Sequence, residues 1–206
     1  MFKKGWIYIA IGVLTLGAIF LMEYNKPKKI NWFPSYVSHH KIPYGTLVLN
    51  DLMEKHFPDA IQQIHKPPFE FLSRTDSIKG TYFFVNESVS FEEAELHSLL
   101  EWVEQGNMLF VASRSFEKKL LDTLHLEQGS VYNNGLEPLF YYELVNPKFK
   151  SKKATFGKDY YTPGFERIDT LQTTVLGQVY AQADSTDTIT KHINTIKQPF
   201  GKGTIV

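Results

Sequence analysis

The stretch GTYFFVNESVSFEEAELHSLLEWVEQGNMLFVAS, residues 80–113, decides the fold class. Residues 81–85 (TYFFV) and 108–112 (MLFVA) are short apolar runs rich in β-branched and aromatic residues, the composition of strands buried on two faces. Between them Ser90 and Glu93 have the Ser-x-x-Glu spacing of a capping box, in which each side chain satisfies a free backbone N–H at a helix start. Leu96, Leu99, Leu100 and Val103 then recur at helical spacing, and Gly106 sits where a left-handed cap would end the helix. Two buried strands joined by a covering helix make a right-handed crossover unit, so the expected class is α/β with a parallel sheet. This pattern specifies a fold and no reaction.

Working outward toward the N-terminus, residues 43–58 (PYGTLVLNDLMEKHFP) place Leu49, Leu52, Met53 and Phe57 at helical spacing before Pro58. They predict a helix covering one face of the sheet. A loop at residues 65–68 then leads to an expected strand at residues 69–73. On the other side, FEKKLLDTLHL predicts a short amphipathic helix with Phe116, Leu120, Leu121 and Leu124 on one face, and Asn133-Asn134-Gly135 is a turn signal. Residues 139–145, 173–181 and 187–196 show alternation and β-branched content without helical periodicity, so the second half is expected to be mostly antiparallel strands. GKGTIV, residues 201–206, begins a further strand and stops on Val206, which suggests a fragment of a longer chain.

The N-terminal end is different in kind. Residues 5–22 (GWIYIAIGVLTLGAIFLM) carry no charge, beginning with Gly5, Trp6 and Ile7 and ending with Met22. As a helix they would span roughly 27 Å at about 1.5 Å per residue, close to the hydrocarbon thickness of a bilayer. They read as a membrane anchor rather than a cleaved signal peptide, since no small-x-small site precedes Glu23. Trp6, Tyr8 and Tyr24 suit the interfacial aromatic belts. Lysines flank both ends, and the signal-anchor layout favours a cytoplasmic N-terminus. The organisation is thus a membrane anchor over residues 1–24, a proline- and lysine-rich stalk over 25–43 and an extracytoplasmic α/β domain over 44–206. Among 206 residues there are 22 Lys plus Arg against 22 Asp plus Glu and no cysteine. Overall charge therefore gives no reason to expect nucleic acid, and thiolate nucleophiles, disulfides and cysteine-bound metals are excluded.

Several residues invite functional readings. Ser113 follows the second strand and could be a nucleophile, although no Gly-x-Ser-x-Gly elbow surrounds it and a helix cap or loop donor is the ordinary role. His39 and His40 with Asp51 and Glu54 offer imidazole and carboxylate for zinc or manganese, but adjacent histidines diverge and no metal is assigned. Tyr44, Gly45 and Thr46 stand at a helix start, where free N–H groups could hold an anion or other ligand; a cap with a close-packed glycine is the plainer reading. Lys148, Lys150, Lys152 and Lys153, with Lys158, form a candidate surface patch for anionic headgroups or an acidic partner, or simply a solvated hairpin. Asn86-Glu87-Ser88 matches a glycosylation sequon, read as accidental. No catalytic, cofactor-binding or metal-binding residue is assigned.

NWFPSY, KIPYGT, FFVNESVSFEEAELHSLLEWVEQGNMLFVAS and FGKGTIV, in that order, resemble the bacterial domain-of-unknown-function 4350 family, and most of all its Bacteroidetes members, over residues 31–206. The resemblance implies a class I glutamine-amidotransferase-like fold, so the full expectation is an N-terminal transmembrane helix, a flavodoxin-like or amidotransferase-like parallel sheet and an antiparallel β-rich C-terminal part. It also implies a second membrane helix further on, and a partner role beside a MoxR-type AAA ATPase and a von Willebrand-like protein at the bacterial inner membrane. Enzymes of that fold carry a nucleophilic cysteine after a central strand, which this chain lacks. The expected function is therefore non-catalytic: a scaffold or sensor domain in the periplasm that needs no cofactor. The alternatives are an envelope hydrolase or transferase using Ser113, and a small-molecule or glycan receptor.

Overall fold

A computed structural model describes residues 2–73, 78–133, 135, 139–149, 153–181 and 189–206, with side chains from residue 5 onward. The elements in chain order are α1 (Phe2–Tyr24), α2 (Leu47–His56), α3 (Pro68–Ser73), β1 (Thr81–Val89), α4 (Glu93–Glu104), β2 (Met108–Phe116), α5 (Lys118–Thr123), β3 (Glu127–Tyr132), β4 (Phe140–Leu144), β5 (Lys153–Phe156), β6 (Tyr161–Arg167), β7 (Thr174–Ala181), β8 (His192–Phe200) and β9 (Gly203–Ile205).

The strand–helix–strand unit forms as its periodicity requires. β1 and β2 pair in parallel, with Thr81 beside Met108 and Val89 beside Phe116. α4 buries Leu96, Leu99, Trp102 and Val103, and these pack with Leu109, Val111 and Ile205 into the main core. Gly106 takes a φ of +108°, open to glycine, and its N–H bonds the Val103 carbonyl at 2.9 Å. Asn107 then fastens the unit. Its side chain accepts from Gly80 N–H at 3.0 Å and donates to the Trp102 carbonyl at 2.7 Å. Its backbone carbonyl accepts from Thr204 N–H at 3.0 Å.

Three local expectations need correction. The strands run about four residues past their apolar cores, so Ser90 is still leaving β1 and the helix begins two residues later than the Ser90–Glu93 pattern suggested. Glu95 instead receives the Glu92 N–H, at 3.1 Å, while Glu117 receives the Phe91 N–H, at 2.8 Å. β1 is not buried on both faces: Phe83 stacks on Phe110 at 4.4 Å in a partly open layer, and the strand stands at the edge of the sheet. Residues 69–73 are helical: Pro68 supplies the first position of α3, where its missing N–H costs nothing, and Phe71 N–H reaches the Pro67 carbonyl at 3.1 Å.

The second half is antiparallel as expected, but it extends one sheet rather than forming another. Neighbouring strands run β1-β2-β9-β8-β7-β4-β5, with β6 joined to β8 and β3 to β6. Among the described residues parallel pairing is confined to β1 with β2 and β2 with β9. The architecture is a mixed α/β fold with a curled mixed sheet behind an N-terminal apolar helix. β3, β5 and β6 were not legible from periodicity, being interrupted by Gly129, Gly164 and Pro163 or, for β5, only four exposed residues long. α2 forms over the expected residues yet buries none of them. It covers no face of the sheet, and Leu49, Leu52 and Phe57 remain exposed.

Candidate functional site

β9 lies between β2 and β8, parallel to the first and antiparallel to the second. The curl of the sheet encloses a cavity of about 400 Å³, bordered by β2, α5, β3, β4, β6, β8 and β9. The floor is apolar: Leu120, Leu124, Leu126 and Phe140 are all buried. Several polar side chains in the walls already bond within the protein. Gln128 donates to the Arg114 carbonyl at 3.0 Å and accepts from Phe116 N–H at 3.2 Å. Gln198 donates to the Leu124 carbonyl and to Thr173 Oγ1, and Thr195 Oγ1 donates to Asn194 Oδ1.

The mouth is polar and is centred on Arg114, whose side chain is 25% exposed. Its Nη1 lies 3.2 Å from Asp159 and 3.6 Å from Glu87, and its guanidinium stacks on Tyr161 with the carbon 4.3 Å from the ring centroid. Two tyrosines complete the network: Tyr36 Oη donates to Glu87 at 2.7 Å and Tyr44 Oη donates to Asp159 at 3.1 Å. Burial pulls the Arg114 pKa down, but Tyr161, Asp159 and Glu87 outweigh it, so the net shift is upward and the group stays charged. Burial, then the Glu87 hydrogen bond, pushes the Tyr36 hydroxyl well above its ordinary 10.0. Burial and Asp159 push Tyr44 upward in the same way. Both phenols therefore remain donors at neutral pH. Among the described residues Arg114 Nε, shielded from solvent, has no acceptor.

The sequence-predicted candidates are distributed as follows. Ser113 lies inside β2, not on an elbow after it, and donates to the Ser115 carbonyl at 2.7 Å and to the Glu87 carbonyl at 3.2 Å. α5 is capped at Glu117, so Ser113 does not cap it. Gly45 packs so tightly on His40 that a Cβ would land on the His40 carbonyl. The Gly45 and Thr46 N–H groups are spent on the Ile42 and Val37 carbonyls, and Tyr44 serves the Arg114 network. His39 and His40 meet edge to face, 4.7 Å between centroids, while Asp51 and Glu54 are exposed on α2. Among the described residues no group of three His, Cys, Asp or Glu is placed to hold a metal. Lys148 is exposed; Lys153 Nζ lies over the Tyr141 ring at 4.2 Å and Lys158 Nζ over Trp32 at 4.9 Å. Lys150 and Lys152, like Asn134 of the turn signal, lie outside the described residues. Gly5, Trp6, Ile7 and Met22 belong to α1, whose residues Gly5–Tyr24 are long and apolar enough to cross a bilayer and are unburied by the protein.

Sequence reasoning passed over Arg114, Glu87 and Asp159. One signal was available: the parallel register that sets Asn86 beside Ser113 and Ser88 beside Ser115 also sets Glu87 beside Arg114, two opposite charges within otherwise uncharged strands. One family model, described as Domain of unknown function (DUF4350), matches residues 38–206. No curated protein and no solved structure gave a match.

Proposed function

We propose, from the premise that this chain belongs to the family described as Domain of unknown function (DUF4350), that it is a non-catalytic, membrane-anchored binding domain serving as a scaffold or sensor in an envelope complex. The observation that carries the reading is the cavity beneath Arg114. Its size falls in the range of small-molecule sites, and a few convergent polar groups stand over an apolar floor. A nucleophile and its base must lie within hydrogen-bond reach of each other. Among the described residues the cavity lining holds neither histidine nor cysteine, and its Ser113 hydroxyl contacts backbone carbonyls. Binding followed by signalling to a partner fits this lining better than bond cleavage does.

The finer fold reading is part of the proposal. β1, α4, β2 and β9 are taken as the parallel portion of a flavodoxin-like, class I glutamine-amidotransferase-like sheet of the Bacteroidetes type. α1 is taken as an inner-membrane signal-anchor with the domain in the periplasm. The proposed partners are a MoxR-type AAA ATPase and a von Willebrand-like protein. An alkaline phosphatase fusion after Val206 is expected to be active, and an inactive one places the domain in the cytoplasm. Mild crosslinking in native membranes, purification and mass spectrometry are expected to recover the ATPase; recovery of the protein alone removes the scaffold role. Ser113→Ala is expected to leave complementation intact, whereas loss of function in a normally folded variant reverses the ranking in favour of an envelope hydrolase.

A further inference from the structure

Resting on the reading of the cavity as a binding site, we infer that its ligand is a neutral amphipathic molecule, with an apolar chain seated over Leu120 and Leu124 and a hydroxylated head held at Arg114 and Asp159. The floor sets the first half of this. The wall amides of Gln128 and Gln198, which could otherwise recognise a polar body, donate within the protein. What the floor can offer is burial of apolar surface, worth about 0.8 kcal/mol for each methylene removed from water.

The mouth sets the second half. Two carboxylates share one guanidinium, so the rim carries more negative than positive charge. A carboxylate or phosphate head would meet Glu87 and Asp159 at close range. An ammonium head would compete with Arg114 for the same two acceptors and face a like charge. A neutral head avoids both costs and matches what is left unmade. Among the described residues Arg114 makes its ion pairs and its side-chain hydrogen bond through Nη1, leaving Nη2 to donate to a ligand oxygen. Among the described residues Asp159 makes both its contacts through Oδ2, leaving Oδ1 to accept from a ligand hydroxyl. Hydroxyl groups both accept and donate without carrying charge.

The test uses the full chain in lipid nanodiscs and three probes with the same alkyl chain and different heads: monooctanoylglycerol, octanoate and octylamine. Isothermal titration calorimetry is run against empty nanodiscs to subtract partitioning. Monooctanoylglycerol is expected to bind at least tenfold tighter than either ion. Leu124→Trp, which fills the floor, is expected to abolish that binding, and Leu121→Phe, a milder intrusion, to weaken it should the first variant fail to fold. Arg114→Lys keeps the charge but removes the forked pair of terminal nitrogens, Nη2 with it, and is expected to weaken the neutral probe several-fold. Tightest binding by octanoate or octylamine, lost in the floor variants, overturns the ligand class and leaves the binding site standing. No protein-dependent heat from any of the three probes overturns both.

Discussion

Replacing Asn107 tests whether the strand–helix–strand unit is held as described. The residue is 5% exposed, and its amide joins the entry of β1 to the last turn of α4. Asn107→Ala removes two hydrogen bonds, each contributing about 1 kcal/mol net. The partners then differ. Gly80 is exposed, so its N–H can turn to water, whereas the Trp102 carbonyl belongs to a residue only 8% exposed and would lose its donor in the interior. An unsatisfied buried group adds about 1–3 kcal/mol, giving about 3–5 kcal/mol in all. For a chain of this size each kcal/mol lowers Tm by about 2–4 °C, so a fall of at least 6 °C is expected in a thermal melt followed by circular dichroism. Asn107→Asp sharpens the test. The introduced carboxylate can still accept from Gly80 but sets a charge against the Trp102 carbonyl. Burial raises its pKa in the folded state above the unfolded value of about 3.9. The folded state therefore holds the proton more tightly, and the deficit relative to the parent protein is smallest below about pH 4 and grows as pH rises. Melting of Asn107→Ala within about 2 °C of the parent, or a pH-independent gap for Asn107→Asp, refutes the bridging role.

Other outcomes follow from packing and charge. A Cβ on Gly203 would land on the Val103 and Asn107 carbonyls, so Gly203→Ala must push β9 away from α4; a loss of about 1–3 kcal/mol in chemical denaturation is expected. The Tyr36 and Tyr44 hydroxyls sit above their ordinary pKa because of burial first and the Glu87 and Asp159 carboxylates next. With the folded pKa raised, stability is full below about pH 10 and falls as pH climbs through the folded values. Tyrosinate absorbance is expected to show a late-titrating fraction that shrinks in Tyr36→Phe, and that variant's Tm should decline less steeply above pH 10 than the parent's.

Local patterning was enough for the features that depend on neighbours along the chain. The spacing of Leu96, Leu99 and Val103 fixes which face of α4 is buried, and Gly106 fixes where it stops, because a helix and its cap are closed by residues three or four apart. The apolar run of residues 5–22 likewise specifies a long helix whatever surrounds it. Other features turned on which distant groups met. The start of α4 moved because β1 runs on to Val89 and Glu117 received the Phe91 N–H. Residues 69–73 became α3 once Pro68 could open a helix against α4, although their composition suited a strand. The stripe on α2 names a face to bury but not the surface that buries it, and here none of its residues is buried. The Arg114 site shows both levels at once. Glu87 follows from the register of two adjacent strands, while Asp159, Tyr36 and Tyr44 arrive from segments far away in sequence. Periodicity records what a residue must hide from water; only the closing of long loops decides which partner it is hidden against.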